Sequence, residues 1–173
     1  MAKSSGGVRG GVAKSTAERA SSNIRSILAD IAEKGYSSAK PFSIGKVDKE
    51  MKDYADEHGI TLGSEEILMS VKQITHTLRE SKTEKGKSVG AAHLADFPLR
   101  RSGMELYHDS SNGNFIYFDR VRNEKFVIHP NHIMKTKQGK QKKVNYITAS
   151  KTDATEFRMS KYTSIRKRPK RNG

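Results

Sequence analysis

The 173-residue sequence contains no cysteine, which excludes disulfide bonds, zinc sites with thiolate ligands and catalysis by a cysteine nucleophile. It also contains no tryptophan, and hydrophobic residues make up only 34% of the chain. A chain with so little apolar material cannot bury a large core along its whole length. We therefore expect one compact domain with extended ends.

Long apolar runs are missing as well. No stretch is apolar enough to span a membrane, and the N-terminal residues lack the apolar segment of a signal peptide. From these absences we expect a cytoplasmic protein that has no membrane partner.

Positive charge is what the sequence has in excess. The formal net charge is +14 at pH 7, and residues 100–159 contribute 12 basic and 6 acidic groups. Residues 160–173 add 6 basic groups and no acidic ones, whereas residues 41–99 carry 8 basic and 10 acidic groups. A basic region with a basic tail is typical of a protein that binds a polyanion, most simply nucleic acid. The alternative is that these lysines only keep the protein soluble.

Large apolar and polar residues alternate in a sustained way between positions 104 and 151. Four runs in this region are rich in β-branched and aromatic residues and are separated by turn formers: residues 104–107, 115–118, 125–128 and 144–148. They predict four consecutive antiparallel strands. We expect the helices upstream to cover one face, which gives an α+β fold of N-terminal helices packed on a small sheet of about four strands.

The first predicted helix follows a basic arm at residues 1–14, whose Gly, Ser, Lys and Arg content favours disorder. Ser15 and Glu18 have the spacing of a capping box, and Gly35 ends the helical pattern. Between them lies an apolar stripe of Ile24, Ile27, Leu28 and Ile31. The stripe could pack on the domain or bind a partner helix, and the sequence leaves both open.

Two further helices are predicted. Turn formers at residues 36–46 predict a linker, and residues 47–57 predict a short helix. A longer helix is predicted over residues 64–81, because Ser64 can cap it. Its apolar stripe is formed by Ile67, Val71, Ile74 and Leu78.

These patterns divide the chain into four parts. They are a flexible basic arm at 1–14, a helical N-terminal extension at 15–63, an α+β domain at 64–166 and a basic tail at 167–173.

The polar face of the 64–81 helix carries a candidate site. Lys72, His76, Arg79 and Thr83 are spaced by four, three and four residues, so they share one face. Like charge from the flanking lysine and arginine favours the neutral form of His76, which can then accept a proton near neutral pH. The same pattern also fits an ordinary solvated face of an amphipathic helix.

The order of several segments resembles a known superfamily. The segments are Ile74-Thr75-His76-Thr77-Leu78-Arg79-Glu80-Ser81-Lys82, a Leu-x-x-Phe-Pro-Leu step, Met104-Glu105-Leu106-Tyr107-His108-Asp109 and Val144-Asn145-Tyr146-Ile147-Thr148-Ala149-Ser150-Lys151. Together they resemble the barnase, EndoU, colicin and RelE-like nucleases, in the versions carried by phages and mobile elements. The resemblance covers residues 64–166. It implies a toxin-like endoribonuclease that works without a metal or cofactor, in the cytoplasm or associated with a virion.

The resemblance also implies roles for single residues. The 2′-hydroxyl of RNA attacks the adjacent phosphate, with His76 as the helical histidine and Arg79 and Lys82 as cationic groups. The hydroxyl positions of the last strand fall on Thr148 and Ser150. Substrate-binding candidates are Lys72, Lys151, Tyr162 and Arg166. The sequence shows no carboxylate partner for His76, so the identity of the base stays open.

The implied partners are RNA, an acidic immunity or inhibitor protein attracted by charge, and a phage structural protein bound through the N-terminal helix. Two other function classes remain open beside the ribonuclease. One is a nucleic-acid-binding module without activity, and the other is a structural protein that docks through the helix at residues 16–34.

Two histidines three residues apart, His129 and His132, faintly resemble part of a metal-dependent nuclease motif. Such a site needs further ligands at defined spacing, and only His108 followed by Asp109 lies near in the sequence. We expect no metal site here, but a turn at which Pro130 ends a strand and the histidines face solvent or RNA.

Overall fold

The computed structural model describes residues 15–78, 89–135 and 138–167. Its α-helices are α1 (Thr16–Lys34), α2 (Lys49–Glu57), α3 (Val71–Leu78) and α4 (Ala91–Arg100). Its strands are β1 (Phe42–Lys46), β2 (Glu66–Met69), β3 (Glu105–Asp109), β4 (Phe115–Asp119), β5 (Glu124–Lys135), β6 (Gln141–Lys151) and β7 (Tyr162–Arg166). Short 3₁₀ turns occupy Arg101–Gly103 and Ala154–Arg158. Within the described ranges, no helix has both the length and the apolarity needed to cross a membrane.

The strands form one mixed sheet of seven in the order β1-β2-β6-β5-β4-β3-β7. The four predicted strands correspond to β3, β4, β5 and β6, which are antiparallel neighbours. The prediction of about four strands is nevertheless wrong, because β1, β2 and β7 extend the sheet at both edges. The fold remains α+β.

Strand β2 lies where the sequence predicts the start of a helix. The predicted helix over residues 64–81 is wrong in its first part, since α3 begins only at Val71. Ile67 and Met69 are buried on one side of the strand, and Ile67 pairs in parallel with Asn145 of β6. A spacing of four between Ile67 and Val71 suits a helix, but here the two residues belong to different elements.

Asn145 explains why the chain turns into a strand at this point. It is fully buried, and its Oδ1 accepts a hydrogen bond from the Gly63 backbone N–H at 2.7 Å. Its Nδ2 donates to the carbonyl oxygens of Ser64 and Glu66, at 2.7 and 2.9 Å. A Cβ at Gly63 would lie 2.6 Å from the backbone of Val144, so this close approach requires glycine. These contacts fix residues 63–66 against β6.

Strand β1 occupies the second half of the predicted linker at residues 36–46, which is wrong there. It pairs antiparallel with β2, and Ile44 is fully buried. Gly45 has a φ of 129° and lies at an irregularity in the β1–β2 register. The glycine that suggested a linker therefore accommodates a bulge at the sheet edge.

Helix α1 belongs to the core of the protein. The predicted capping box is confirmed, because Ser15 Oγ accepts from the Glu18 N–H at 3.1 Å and Glu18 Oε1 accepts from the Ser15 N–H at 3.2 Å. Gly35 ends the helix with a φ of 82°. Ile24 and Ile27 are buried in the same apolar cluster as α4 and the sheet. The sequence left open whether this apolar stripe packs on the domain or binds a partner helix. In the structure it packs on the domain.

The two faces of the sheet are covered differently. The main core lies on the face that carries α1 and α4, where Phe97 stacks on Phe126 with a centroid distance of 4.2 Å. On the opposite face, a smaller cluster of Tyr107, Ile116, Phe118 and Phe157 covers β3 and β4. The part of this second face formed by β5 and β6 is rich in polar groups and forms the candidate site.

Candidate active site

Strand alternation sorts the side chains of β5 and β6 between the two faces. Phe126, Ile128, Ile147 and Ala149 point into the main core. Their neighbours in the sequence therefore point to the second face. We use the name open face for the surface formed there by His129, His132, Tyr146 and Thr148, of which His132 is exposed and the others are half-buried.

A β-bulge brings both histidines to the open face. Residues three apart in a regular strand point to opposite faces, but the β5–β6 register shifts between His129 and His132. Asn131 adopts a φ of 58° at this shift, a conformation that asparagine tolerates better than most residues. The expectation that Pro130 ends the strand is wrong, because β5 continues to Lys135.

Polar contacts connect the residues of the open face. His129 Nε2 lies 3.0 Å from Thr148 Oγ1, at hydrogen-bond distance. The His132 ring stacks on Tyr146 with a centroid distance of 4.9 Å and an interplanar angle of 14°. The Tyr146 hydroxyl lies 3.1 Å from Ser70 Oγ, at the start of α3. Two imidazoles and three hydroxyls thus lie together on one surface.

The environment of His129 favours its neutral form. Burial lowers the pKa of His129, and the nearby His132 lowers it further, because a second positive charge would be repelled. A neutral imidazole carries a nitrogen lone pair that can accept a proton. His129 therefore has the properties of a general base, a role for which the sequence left the residue open.

His76 lies on α3, which packs along β6. Lys72, Gln73, Thr75 and His76 line one concave surface. Thr77, one residue further on, and Thr148 of β6 both lie where the helix meets the strand. The helix therefore lies beside the strand that carries Thr148 and Ser150. Arg79 and Lys82 lie outside the described residues.

Ser150 shares the second face of β6 with Thr148 and is opposite Lys125 in the register. The Lys125 ammonium binds the Glu156 carboxylate, with a distance of 2.8 Å to Oε2. The Tyr162 hydroxyl also donates a hydrogen bond to the Glu156 carboxylate. Burial raises the pKa of this tyrosine. Tyr162 is therefore held in the smaller cluster next to the open face, with its hydroxyl already engaged.

Arg166 has a structural position. Its side chain is 14% exposed and makes ion pairs with Asp48 at 3.1 Å and Glu50 at 3.2 Å. It also donates to the backbone carbonyls of Met104 and Arg101. These contacts attach β7 to α2. They also occupy the Arg166 guanidinium, which was a substrate-binding candidate from the sequence.

Lys151 belongs to a second group, on the helix-covered side of the sheet. Its Nζ lies 3.7 Å from Glu124 Oε2, and Glu124 is fully buried. His93 Nδ1 of α4 lies 2.8 Å from the same carboxylate oxygen. This histidine–carboxylate pair joins residues 31 positions apart, so no spacing in the sequence could indicate it. The buried charge is that of the Glu124 carboxylate, and His93 and Lys151 are the groups that face it where α4 meets β5.

Within the described parts of the chain, no group of three or more His, Asp or Glu residues is arranged to hold a metal ion. No protein-family model matches the chain, nor does any curated protein or solved structure. The resemblance to the barnase, EndoU, colicin and RelE-like nucleases therefore stays a prediction.

Proposed function

We propose that the protein is a metal-independent endoribonuclease that works at the open face of its sheet. The observation that carries this proposal is the placement of His129 and His132 on one surface by the bulge at Asn131. One imidazole is half-buried and favoured in its neutral form, and the other is exposed. Cleavage by proton transfer needs two such groups, one to accept a proton and one to donate it.

In the proposed reaction, the 2′-hydroxyl of RNA approaches His129 Nε2 where the Thr148 hydroxyl now lies. The imidazole accepts the hydroxyl proton while the 2′-oxygen forms a bond to phosphorus. The bond between phosphorus and the 5′-oxygen breaks, and protonated His132 donates its proton to that oxygen. The products are a 2′,3′-cyclic phosphate end and a free 5′-hydroxyl end. The Tyr146 and Thr148 hydroxyls can donate hydrogen bonds to the phosphoryl oxygens.

A second candidate function is nucleic-acid binding without cleavage. It is favoured by the ion pairs of Arg166 and Lys151, since these predicted phosphate contacts are engaged with carboxylates of the protein itself. A site with fewer available cations stabilises the charge of the transition state less. The two functions share the same surface and differ only in the chemistry.

The experiment that separates them is incubation of the purified protein with total RNA in excess EDTA. We expect cleavage products with 2′,3′-cyclic phosphate ends. The His129→Gln and His132→Gln variants should each lose about 100-fold or more in rate, the usual contribution of a general acid or base. His58→Gln is the matched control, because His58 is exposed on the helix-covered side at the end of α2.

A His76→Ala variant tests the assignment made from the sequence. Loss of cleavage in this variant alone, with full activity in His129→Gln, would move the reaction to α3 and overturn the assignment of His129. Intact RNA that still binds the folded protein would reject the ribonuclease and leave the binding module. Thermal unfolding of each variant should be compared with the wild type before the activities are compared.

The proposed partners follow from the same surface. They are RNA and, for a toxin-like enzyme, an acidic inhibitor protein attracted by its charge. Docking to a phage structural protein through α1 would have to use the exposed side of the helix, because the apolar stripe packs against the core. A location in the cytoplasm or a virion is part of this proposal.

A further inference from the structure

The hairpin of β5 and β6 is longer than the sheet around it. Strand β5 pairs with β4 only from Glu124 to Ile128, and β6 pairs with β2 only at Asn145 and Tyr146. Beyond these positions, the described residues of the two strands pair with each other. We use the name ribbon for this outer part, residues 132–135 of β5 and 141–143 of β6.

All the charged residues of this region are basic. Residues 132–143 include five lysines and no acidic residue. Lys135, Lys140, Lys142 and Lys143 are all exposed. Such a concentration of positive charge on an extension two strands wide provides a strong attraction for phosphate groups.

The lysines are distributed over both faces of the ribbon. Lys142 is opposite Met134 in the register, on the face that continues the open face. Lys143 is opposite Ile133 and therefore points to the face away from the open face. Lys135 points to the same face as Lys143. Ile133 is 53% exposed beside Lys143, so this side also offers an apolar contact.

Cations on two opposite faces suit phosphates on two opposite sides. A single strand lying across the sheet would meet only the face of Lys142. The groove of a double helix has a sugar-phosphate backbone on each wall, and the major groove of B-form DNA, about 12 Å wide, admits a two-stranded β-ribbon. We propose that the ribbon binds in the groove of a nucleic-acid double helix.

This inference is independent of the cleavage proposal. It concerns other residues, and it is tested by binding to DNA. DNA lacks the 2′-hydroxyl that attacks the phosphate in the cleavage reaction. If the ribbon did not bind a duplex, the proposed reaction at the open face would be unaffected. If the open face were inactive, the ribbon could still bind nucleic acid.

The test is a fluorescence-anisotropy titration of the full chain with a labelled 20-base-pair DNA duplex and the matching single strand. The variants are Lys142→Gln on one face and Lys143→Gln on the other. On the duplex, each variant should lose about five-fold in affinity at 0.15 M salt and lower the salt slope by about 0.9. On the single strand, Lys143→Gln should bind like the wild type. Lys52→Gln, an exposed lysine of α2, is the matched control.

Equal losses for Lys143→Gln on both DNAs, or no loss on the duplex, would overturn the proposal. A second titration with a 2′-O-methyl RNA duplex identifies the kind of helix, because the major groove of A-form RNA is deep and narrow. Tighter binding to DNA would assign the ribbon to a B-form groove. Tighter binding to the RNA duplex would assign it to the structured regions of an RNA substrate.

Discussion

At the scale of single residues, His108 shows how burial sets the charge of a side chain. Its ring is 7% exposed and lies against the rings of Tyr54 and Phe115, each at a centroid distance of 5.0 Å. Burial lowers the pKa of His108, because the imidazolium form loses its hydration in this place. The folded protein therefore accommodates the neutral form.

We expect the free energy of unfolding to fall as the pH drops through about 6.5, where an unfolded histidine takes up a proton. In this range the unfolded chain binds more protons than the folded chain, so protonation favours unfolding. Urea titrations between pH 5 and 7 should show this loss in the wild type and a smaller loss in a His108→Phe variant. His129, whose pKa is also lowered by burial, keeps part of the slope in that variant.

The comparison is one of pH slopes, since the substitution itself changes packing at every pH. Identical slopes for the wild type and His108→Phe would show that His108 does not contribute to the acid sensitivity of the fold.

At the scale of elements, α1 is predicted to be indispensable to the fold. Ile24 is fully buried in the core that α1 shares with α4 and the sheet. An Ile24→Ala variant should lose about 3 kcal/mol of unfolding free energy, the usual effect of removing this much of a buried side chain. Chemical denaturation measures it, with Arg19→Ala on the exposed side of α1 as the control, expected within about 0.5 kcal/mol of the wild type.

A near-normal stability of Ile24→Ala would contradict this position of α1. It would mean that residues 16–34 form an extension whose apolar stripe is available to a partner, which is the third function class that the sequence left open.

The strands that the sequence did not predict, β1, β2 and β7, flank the four predicted strands. Strand β2 has only four residues, and its pairing depends on the contacts of Asn145, a residue 76 positions beyond the end of the strand. Short strands of this kind carry too little periodicity to be separated from a helix by pattern alone. The four predicted strands keep their alternation, and β5 and β6 have 12 and 11 residues, so their existence and order could be predicted.

At the scale of the whole molecule, the excess positive charge predicts binding that depends strongly on salt. If the four described lysines between positions 135 and 143 each contact a phosphate of a DNA duplex, affinity should fall about 150-fold between 50 and 200 mM salt. Titrating a labelled DNA duplex at several salt concentrations measures the slope without cleavage. A flat response would mean that the lysines serve solubility alone.

The sequence by itself determined the charge of the protein, the absence of cysteine chemistry, the capping of α1 and the four central strands. Each of these follows from composition or from contacts between residues close in the chain. It also directed attention to Thr148, although on grounds of resemblance.

Only the tertiary structure decided which groups meet. The bulge at Asn131 turns His129 and His132 to one face, and strand pairing brings His129 to Thr148, 19 positions away. The packing of β7 against α2 engages Arg166 with Asp48, 118 positions away, so its guanidinium is not part of the candidate site. Local sequence patterns record the alternation of a strand but not the identity or register of its neighbour, so the composition of the open face could be known only after the sheet had formed.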